Sequence, residues 1–402
     1  MFAHKIKPEV TTVLDVPALN YTIGRILRQR LSLDTRNIST FLVMVACLLA
    51  SKSVCLSAWI LLISNNTKAD SRIRRCSRWL DNSSIDPHVC YAPIFLHAMR
   101  EWTQSPIYLA LDTSMLYERF CCVRISMIYM NRAIPVAWCV LEHNSSSVKY
   151  DQYAHLFEWV KVLLPREAPI FFLADRGFVC KKLMRRLQQL SWFWRIRVKG
   201  NQKLWTGSSF ITPKTLPLLM GKALLFSRSL NFGPELERVS LSAGWARGCR
   251  EPWYVLSGDA ASTEVFMEYA RRFGIEEGFR DEKSGGCGLE AGHIRDAKKL
   301  ERLLLVISTA LIVAVSEGMS VTLEGEREKV DPHRTRSLSY FQIGLRWILG
   351  CLLHGMKKLF CHCLLRPMRE HLPVASTEKE SRKRRKMKNP VYLFRDVQYG
   401  AL

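Results

Sequence analysis

Three carboxylates stand out by their surroundings. Asp112 follows the apolar run IYLAL, Asp175 follows IFFLA, and Glu276 lies in YARRFGIEEGFRDEKSGG, where Tyr269, Arg272, Glu276 and Lys283 fall at offsets of 0, 3, 7 and 14. In an α-helix, at 100° per residue, those offsets share a stripe about 60° wide. Ile275 and Phe279 flank the stripe on one side and Phe266 and Phe273 on the other, so the polar row is expected to face inward, against a sheet. A carboxylate held among apolar residues is costly unless it meets a cation. Asp112, Asp175 and Glu276 together form a hard-oxygen donor set that suits Mg²⁺, with Mn²⁺ able to substitute, better than Zn²⁺. Ions in such a set can activate an oxygen nucleophile and stabilise a leaving oxygen across a phosphodiester. Arg272 and Lys283 would hold phosphate, and Tyr269 would hydrogen-bond it.

The elements that position these groups are legible in the periodicity. IYLALDTSML (107–116), CVRISMIYM (122–130) and AIPVAWCVL (133–141) read as three sequential strands, the last two joined by a turn at Asn131–Arg132. Tyr153, Leu156, Phe157, Val160 and Leu163 share a helical face that must end before Pro165. The strand Ile170–Ala174 delivers Asp175, and a helix through Leu183, Met184, Leu187 and Leu190 leads to a strand at Trp192–Lys199. There the apolar Trp192, Trp194, Ile196 and Val198 alternate with Phe193 and the basic Arg195, Arg197 and Lys199, which are either DNA-phosphate contacts or an exposed strand face. The order β-β-β-α-β-α-β predicts an α/β fold with a ribonuclease-H-like catalytic core, a mixed sheet flanked by helices. Residues 200–262 read as a β-rich insertion of short strands, and the helical pattern returns at Thr263. Gly274 and Gly278 each cost a helix about 1 kcal/mol relative to Ala, which either close packing or a copy drifting towards inactivity would account for.

The expected organisation is therefore a helical N-terminal DNA-binding region (1–103), the core in two parts (104–199 and 263–350, the second carrying Glu276), the insertion (200–262), and a C-terminal helix with a basic tail (351–402). In the first region Lys68, Arg72, Arg74, Arg75 and Arg78 recur near helical spacing, as a phosphate-contacting face or a solvated one. Phe41–Ser64 is long and apolar enough to span a bilayer, but Lys52 at its centre, flanked by Ser51 and Ser53, favours a buried helix pair broken there. Leu303–Val315 reads as a core helix.

Composition agrees with this reading. With 402 residues, 48% hydrophobic and 24% charged, the chain is neither disordered nor collagenous and should form two or three units. A net charge of +23 points to a polyanionic partner. The 13 cysteines lie far apart, Met1–Val10 has no export pattern, and reduced thiols in a cytoplasm are expected. His354, Cys361, His362 and Cys363 match no standard zinc spacing. Arg382–Lys388 (RKRRKMK) reads as a basic arm for non-specific DNA contact, or as a solubilising tail.

The spacing Y-x2-R-x3-E-x6-K at Tyr269, Arg272, Glu276 and Lys283 resembles the signature of the bacterial insertion-sequence type-four transposases, and LALDTS and LADRGF resemble their first and second acidic motifs. The resemblance covers roughly residues 40–350. It implies a DNA transposase of the DDE type in which Asp112, Asp175 and Glu276 hold Mg²⁺. Such an enzyme cuts at element ends, passes through a hairpin and joins a 3′-hydroxyl to target DNA. It further implies double-stranded DNA as partner, a homodimer in the synaptic complex, no membrane, and a bacterial cytoplasmic setting. A regulatory DNA-binding derivative and a structure-specific nuclease of the same fold are the rival readings.

Overall fold

The computed structural model describes residues 20–30, 33–63, 67–231, 238–247, 249–333, 338–354, 359–367 and 393–400. The basic run Arg382–Lys388 lies outside them. The chain divides into two compact units, one of residues 1–98, 282–332 and 338–365, the other of residues 99–281, 333–337 and 366–402.

The first unit is helical. Its helices Thr35–Ser51, Ala69–Asp81, Pro87–Ala98 and Tyr340–His354 pack on Ala297–Leu323. That last helix, Ala297–Leu323, is long and apolar enough to cross a membrane by length and composition, and 94% of its apolar window is buried inside the protein. A helix apolar on nearly all sides needs neighbours all round, which a single sheet face does not supply. This is why residues after 281 join the N-terminal helices rather than the second part of the core, as the sequence suggested. Its buried Arg302 donates to the backbone oxygens of Leu80 (2.8 Å) and Ile85 (3.2 Å), so the charge is hydrogen-bonded. The expected break in Phe41–Ser64 is present: the helix ends at Ser51 and Lys52 takes a left-handed conformation (φ 55°). The second half is not a helix partner, however, but a short 3-10 turn, Leu56–Trp59.

The second unit is built on a nine-stranded mixed sheet. Its strands in chain order are β1 (Ile107–Leu116), β2 (Phe120–Tyr129), β3 (Arg132–Glu142), β4 (Ile170–Ala174), β5 (Phe193–Arg197), β8 (Lys222–Leu230), β9 (Val239–Gly244), β10 (Trp253–Ser257) and β11 (Asp396–Tyr399); β6 (Leu204–Trp205) and β7 (Phe210–Ile211) form a separate hairpin. The order is β11-β8-β9-β10-β5-β4-β1-β2-β3. The first three strands are an antiparallel meander, with β4 parallel to β1 and β5 parallel to β4. The hairpin turn falls at Met130–Asn131, both left-handed, with Arg132 already paired to Tyr129.

Two features of this sheet were not expected. Strands β8 to β10 of the 200–262 segment extend the same sheet, because β10 pairs antiparallel with the open edge of β5. The C-terminal segment is not only helix and tail, since Asp396–Tyr399 adds a strand parallel to β8. An unpaired strand edge is a row of unmet hydrogen-bonding groups, and both additions cover one.

Candidate active site

Register brings the two aspartates together. In the parallel pair β1–β4, Leu111 lies opposite Ala174, so the next residues, Asp112 and Asp175, occupy neighbouring positions on one sheet face. Strand spacing sets their backbones roughly 5 Å apart. β4 stops at Ala174, whereas β1 runs on to Leu116, so Asp112 is internal to its strand and not at its end. Asp175 is extended and accepts the Gly177 N–H at 2.7 Å, while Asp112 accepts the Thr113 N–H at 2.8 Å.

The third acid arrives on a helical segment that is less regular than its spacing implied. Helix Glu264–Ala270 passes into a 3-10 turn, Arg271–Phe273, then helix Gly274–Arg280 and a π-turn, Asp281–Gly285. Helical pitch therefore changes three times along the signature, and the four polar residues do not share one environment. Tyr269 and Arg272 are buried, whereas the Glu276 side chain is 50% exposed and not turned inward. Lys283 belongs to the helical unit, where it pairs with Glu290 at 3.5 Å.

Packing of this segment on the sheet is close. Ile275 joins Ala110, Ile128, Ala133 and Leu173 in one buried cluster. A Cβ on Gly278 would lie 2.7 Å from the Ala133 Cβ, and one on Gly274 2.9 Å from Ile128 Cγ2. The two glycines, one helical turn apart, thus form the face that lets the segment sit down on β2 and β3. Arg132 braces it from the side, reaching Glu277 at 3.2 Å and Asp281 at 2.8 Å. Arg124, directly opposite Asp112 in the β1–β2 register, is buried with its guanidinium 4.3 Å from the Phe279 ring centre. Neither arginine was singled out from sequence. A signal existed for each: a lone charge in the apolar run CVRISMIYM, and acids four apart at Glu277 and Asp281 awaiting a cation.

At the centre lies Arg272. Its Nη1 donates to Asp112 Oδ2 at 2.9 Å and its Nη2 to Glu276 Oε1 at 2.6 Å, the Arg272 side chain being 8% exposed and that of Asp112 18%. One planar guanidinium spans both contacts, so these carboxylate oxygens are less than about 8 Å apart. Burial pushes the Asp112 carboxyl above its ordinary range despite Arg272 and the Thr113 N–H, with Asp175 and Glu276 adding to the rise. Burial also works against the charge on Arg272, but Tyr269, Asp112, Glu276 and Asp175 outweigh it and hold the guanidinium above its ordinary value. The Tyr269 hydroxyl is raised by burial. Asp112 and Glu276 share this one buried guanidinium, and Asp175 is near enough to act on its charge.

Among the described residues, no group of three or more His, Cys, Asp or Glu side chains is drawn together at coordination distance. The donor chemistry nevertheless fits a hard divalent cation: carboxylate oxygens only, one of them costly to keep charged where it is. As they stand, two of the three acids are turned to Arg272.

The remaining basic candidates divide by their partners. Arg195 is 3% exposed and held between Asp259 and Glu268, with Nη2 2.9 Å from Asp259 Oδ2, so it is not a phosphate contact. The helix Glu264–Ala270 covers this face of β5 and supplies Glu268, which turned an apparent cationic strand face into an interior one. Arg197 is largely buried against Glu251 and Trp253, and Lys199 is exposed. In the N-terminal region Arg72 donates to the Thr67 and Ile60 backbone oxygens and Arg75 to Thr40 Oγ1, so both tie the fold together rather than lie free for DNA. Arg74 pairs with Asp70 at the surface, and Lys68 and Arg78 are exposed. Cys361 and Cys363 are buried and unbridged.

Residues 120–313, just under half of the chain, match the family model of the transposase DDE domain. The match includes Asp175 and Glu276 and begins after Asp112, and it supports a transposase-type domain here. No curated protein sequence matches the chain significantly. Among solved structures, the cryo-EM structure of a piggyBac transposase synaptic complex with hairpin DNA aligns with 96% of this chain and 83% of that one, at 12% identity and a TM-score of 0.42. Similarity at that level says nothing of shared activity.

Proposed function

We propose that the protein is a DDE-type DNA transposase of the insertion-sequence type-four kind, with a ribonuclease-H-like core and Asp112, Asp175 and Glu276 as its catalytic acids. The observation that carries this reading is the meeting of Asp112 and Glu276 on Arg272, beside Asp175, within a unit whose sequence resembles a transposase DDE domain. The core assignment is supported by the strand order β3-β2-β1-β4-β5, antiparallel on one side of β1 and parallel on the other.

A divalent cation, Mg²⁺ or Mn²⁺, held by the three acids would lower the pKa of an attacking water and offset charge on the phosphodiester. The chain's own residues would do the rest. Arg272 would hold backbone phosphate and Tyr269 would orient it, while Lys283, in the helical unit, would be a separate phosphate contact. Gly274 and Gly278, with Arg124 and Arg132, would fix the segment that carries Glu276. Exposed Lys199, Lys68 and Arg78 would add non-specific affinity along the duplex. The reaction would be cleavage at element ends, hairpin formation, and joining of the freed 3′-hydroxyl to target DNA, carried out by a homodimer that holds two ends.

The test uses duplexes made from the DNA that flanks the reading frame. Asp112→Asn, Asp175→Asn and Glu276→Gln should each abolish Mg²⁺-dependent end cleavage, a loss of at least about 10³-fold, while gel-shift binding persists. Normal cleavage by any one of them removes that residue from the site. Cutting without strand transfer by the wild type would make it a nuclease, and binding without nicking in either metal would make it a regulatory derivative.

A further inference from the structure

Arg272 occupies a position at odds with a simple phosphate-binding role. It is nearly buried, and both terminal nitrogens are engaged by two acids of the proposed triad. Its Nε is buried and has no hydrogen-bond partner among the described residues. A guanidinium with one donor unmet can still gain from an oxyanion that offers several acceptors. The Glu276 side of the bridge is half open to solvent, which gives an anion a route to the outer nitrogen. The inner partner, Asp112, is the more buried acid, its side chain 18% exposed against 50% for Glu276.

Resting on the reading of the site just given, we propose that Arg272 is an exchangeable counter-ion that holds Asp112 and Glu276 while no metal is bound. A DNA backbone phosphate draws it off and releases both carboxylates to a divalent cation. Nucleic acid and metal then reinforce each other's binding through one side chain. By linkage, the factor by which DNA tightens the metal equals the factor by which the metal tightens DNA. Arg272 is in this sense a positioning residue, setting when the acids become available.

A fixed Arg272 and an exchanging one make different predictions. If it stayed in place, replacing it would tighten metal binding equally with and without DNA. If it moves onto phosphate, the gain appears only without DNA. The experiment measures Mn²⁺ affinity by calorimetry on the full-length protein, with and without excess duplex bearing the element end, for wild type, Arg272→Gln and Arg272→Lys. Thermal melts verify folding. Without DNA, Arg272→Gln should bind Mn²⁺ about tenfold or more tighter, the scale on which one neighbouring cation shifts proton affinity at a carboxylate. With DNA, the difference should shrink to less than about threefold. Arg272→Lys keeps the charge but reaches one acid at a time and should fall between; it carries the test if the Gln variant does not fold. Equal gains with and without DNA, or a wild-type affinity that DNA leaves unchanged, overturn the proposal. Asp112→Asn separates the two levels of inference: Mn²⁺ binding unaffected by that change defeats the assignment of the acids. Binding lost in Asp112→Asn, together with equal gains from Arg272→Gln, defeats only the exchange.

Discussion

Replacing Gly278 by Ala opposes two effects of known sign. Ala is the better helix former by about 1 kcal/mol, so propensity alone predicts a stabilised protein. Against this, the new methyl would lie 2.7 Å from the Ala133 Cβ, 3.3 Å from the Ala133 nitrogen and 3.4 Å from its Cα. Carbon atoms prefer about 3.5–4.0 Å, so segment and strand must part by about 1 Å. Two of the three opposing atoms are backbone of β3, which is hydrogen-bonded to β2 and cannot rotate away. Overpacking of this kind costs about 1–3 kcal/mol, for a net loss of up to about 2 kcal/mol after the propensity gain. The functional loss should be larger. Glu276 and Arg272 ride together on this segment, and a shift of about 1 Å exceeds the tolerance of the 2.9 Å hydrogen bond from Arg272 to Asp112 on β1. Chemical denaturation and end cleavage should be measured together for Gly278→Ala, Ala133→Gly and the double variant. The double variant should recover cleavage at least in part, because removing the Ala133 methyl makes room for the new one. A Gly278→Ala protein more stable than wild type with full cleavage refutes the packing argument, as does a double variant no better than the single.

Two further outcomes follow from buried charges. Glu317, on the helix Ala297–Leu323, accepts the Phe360 N–H at 2.8 Å and the Cys361 N–H at 3.0 Å, and its burial raises its pKa. The folded protein therefore keeps this proton to higher pH than the unfolded chain. The stability associated with it is greatest below the ordinary Glu range, near 4.5, and falls as pH rises through the folded pKa. Denaturation of wild type against Glu317→Gln should show their stability difference moving in that direction, and no pH dependence of the difference would be contrary. Glu317→Ala leaves two backbone donors buried and should cost about 2–5 kcal/mol. Arg195→Met should destabilise by about 3 kcal/mol by stranding Asp259 and Glu268, yet leave the salt dependence of DNA binding unchanged; a shallower slope would return Arg195 to the DNA surface.

Much of the scaffold was legible because it is written in local periodicity. Apolar and β-rich runs located β1 to β4 and alternation located β5, helical spacing and Pro165 bounded the helix before β4, and Lys52 marked a break that the chain makes. Gly274 and Gly278 stood out as costly in a helix, and the contacts with Ile128 and Ala133 favour close packing over decay as the reason. Partner choice was not legible. The Arg272–Asp112 contact joins residues 160 apart in the chain, and nothing near Arg272 in sequence says whether its guanidinium meets a carboxylate or a phosphate. For the same reason the alternating basic residues of 195–199 looked like one face, yet the helix Glu264–Ala270 buries Arg195 and leaves Lys199 outside. The tertiary structure also joined the 200–262 strands to the main sheet and moved the long apolar helix to the N-terminal bundle. Sequence determines which face of an element is apolar and which residue types it carries. Which element covers that face, and so whether a charge there is a buried counter-ion or a surface contact, depends on pairings across large sequence separations that only the folded chain decides.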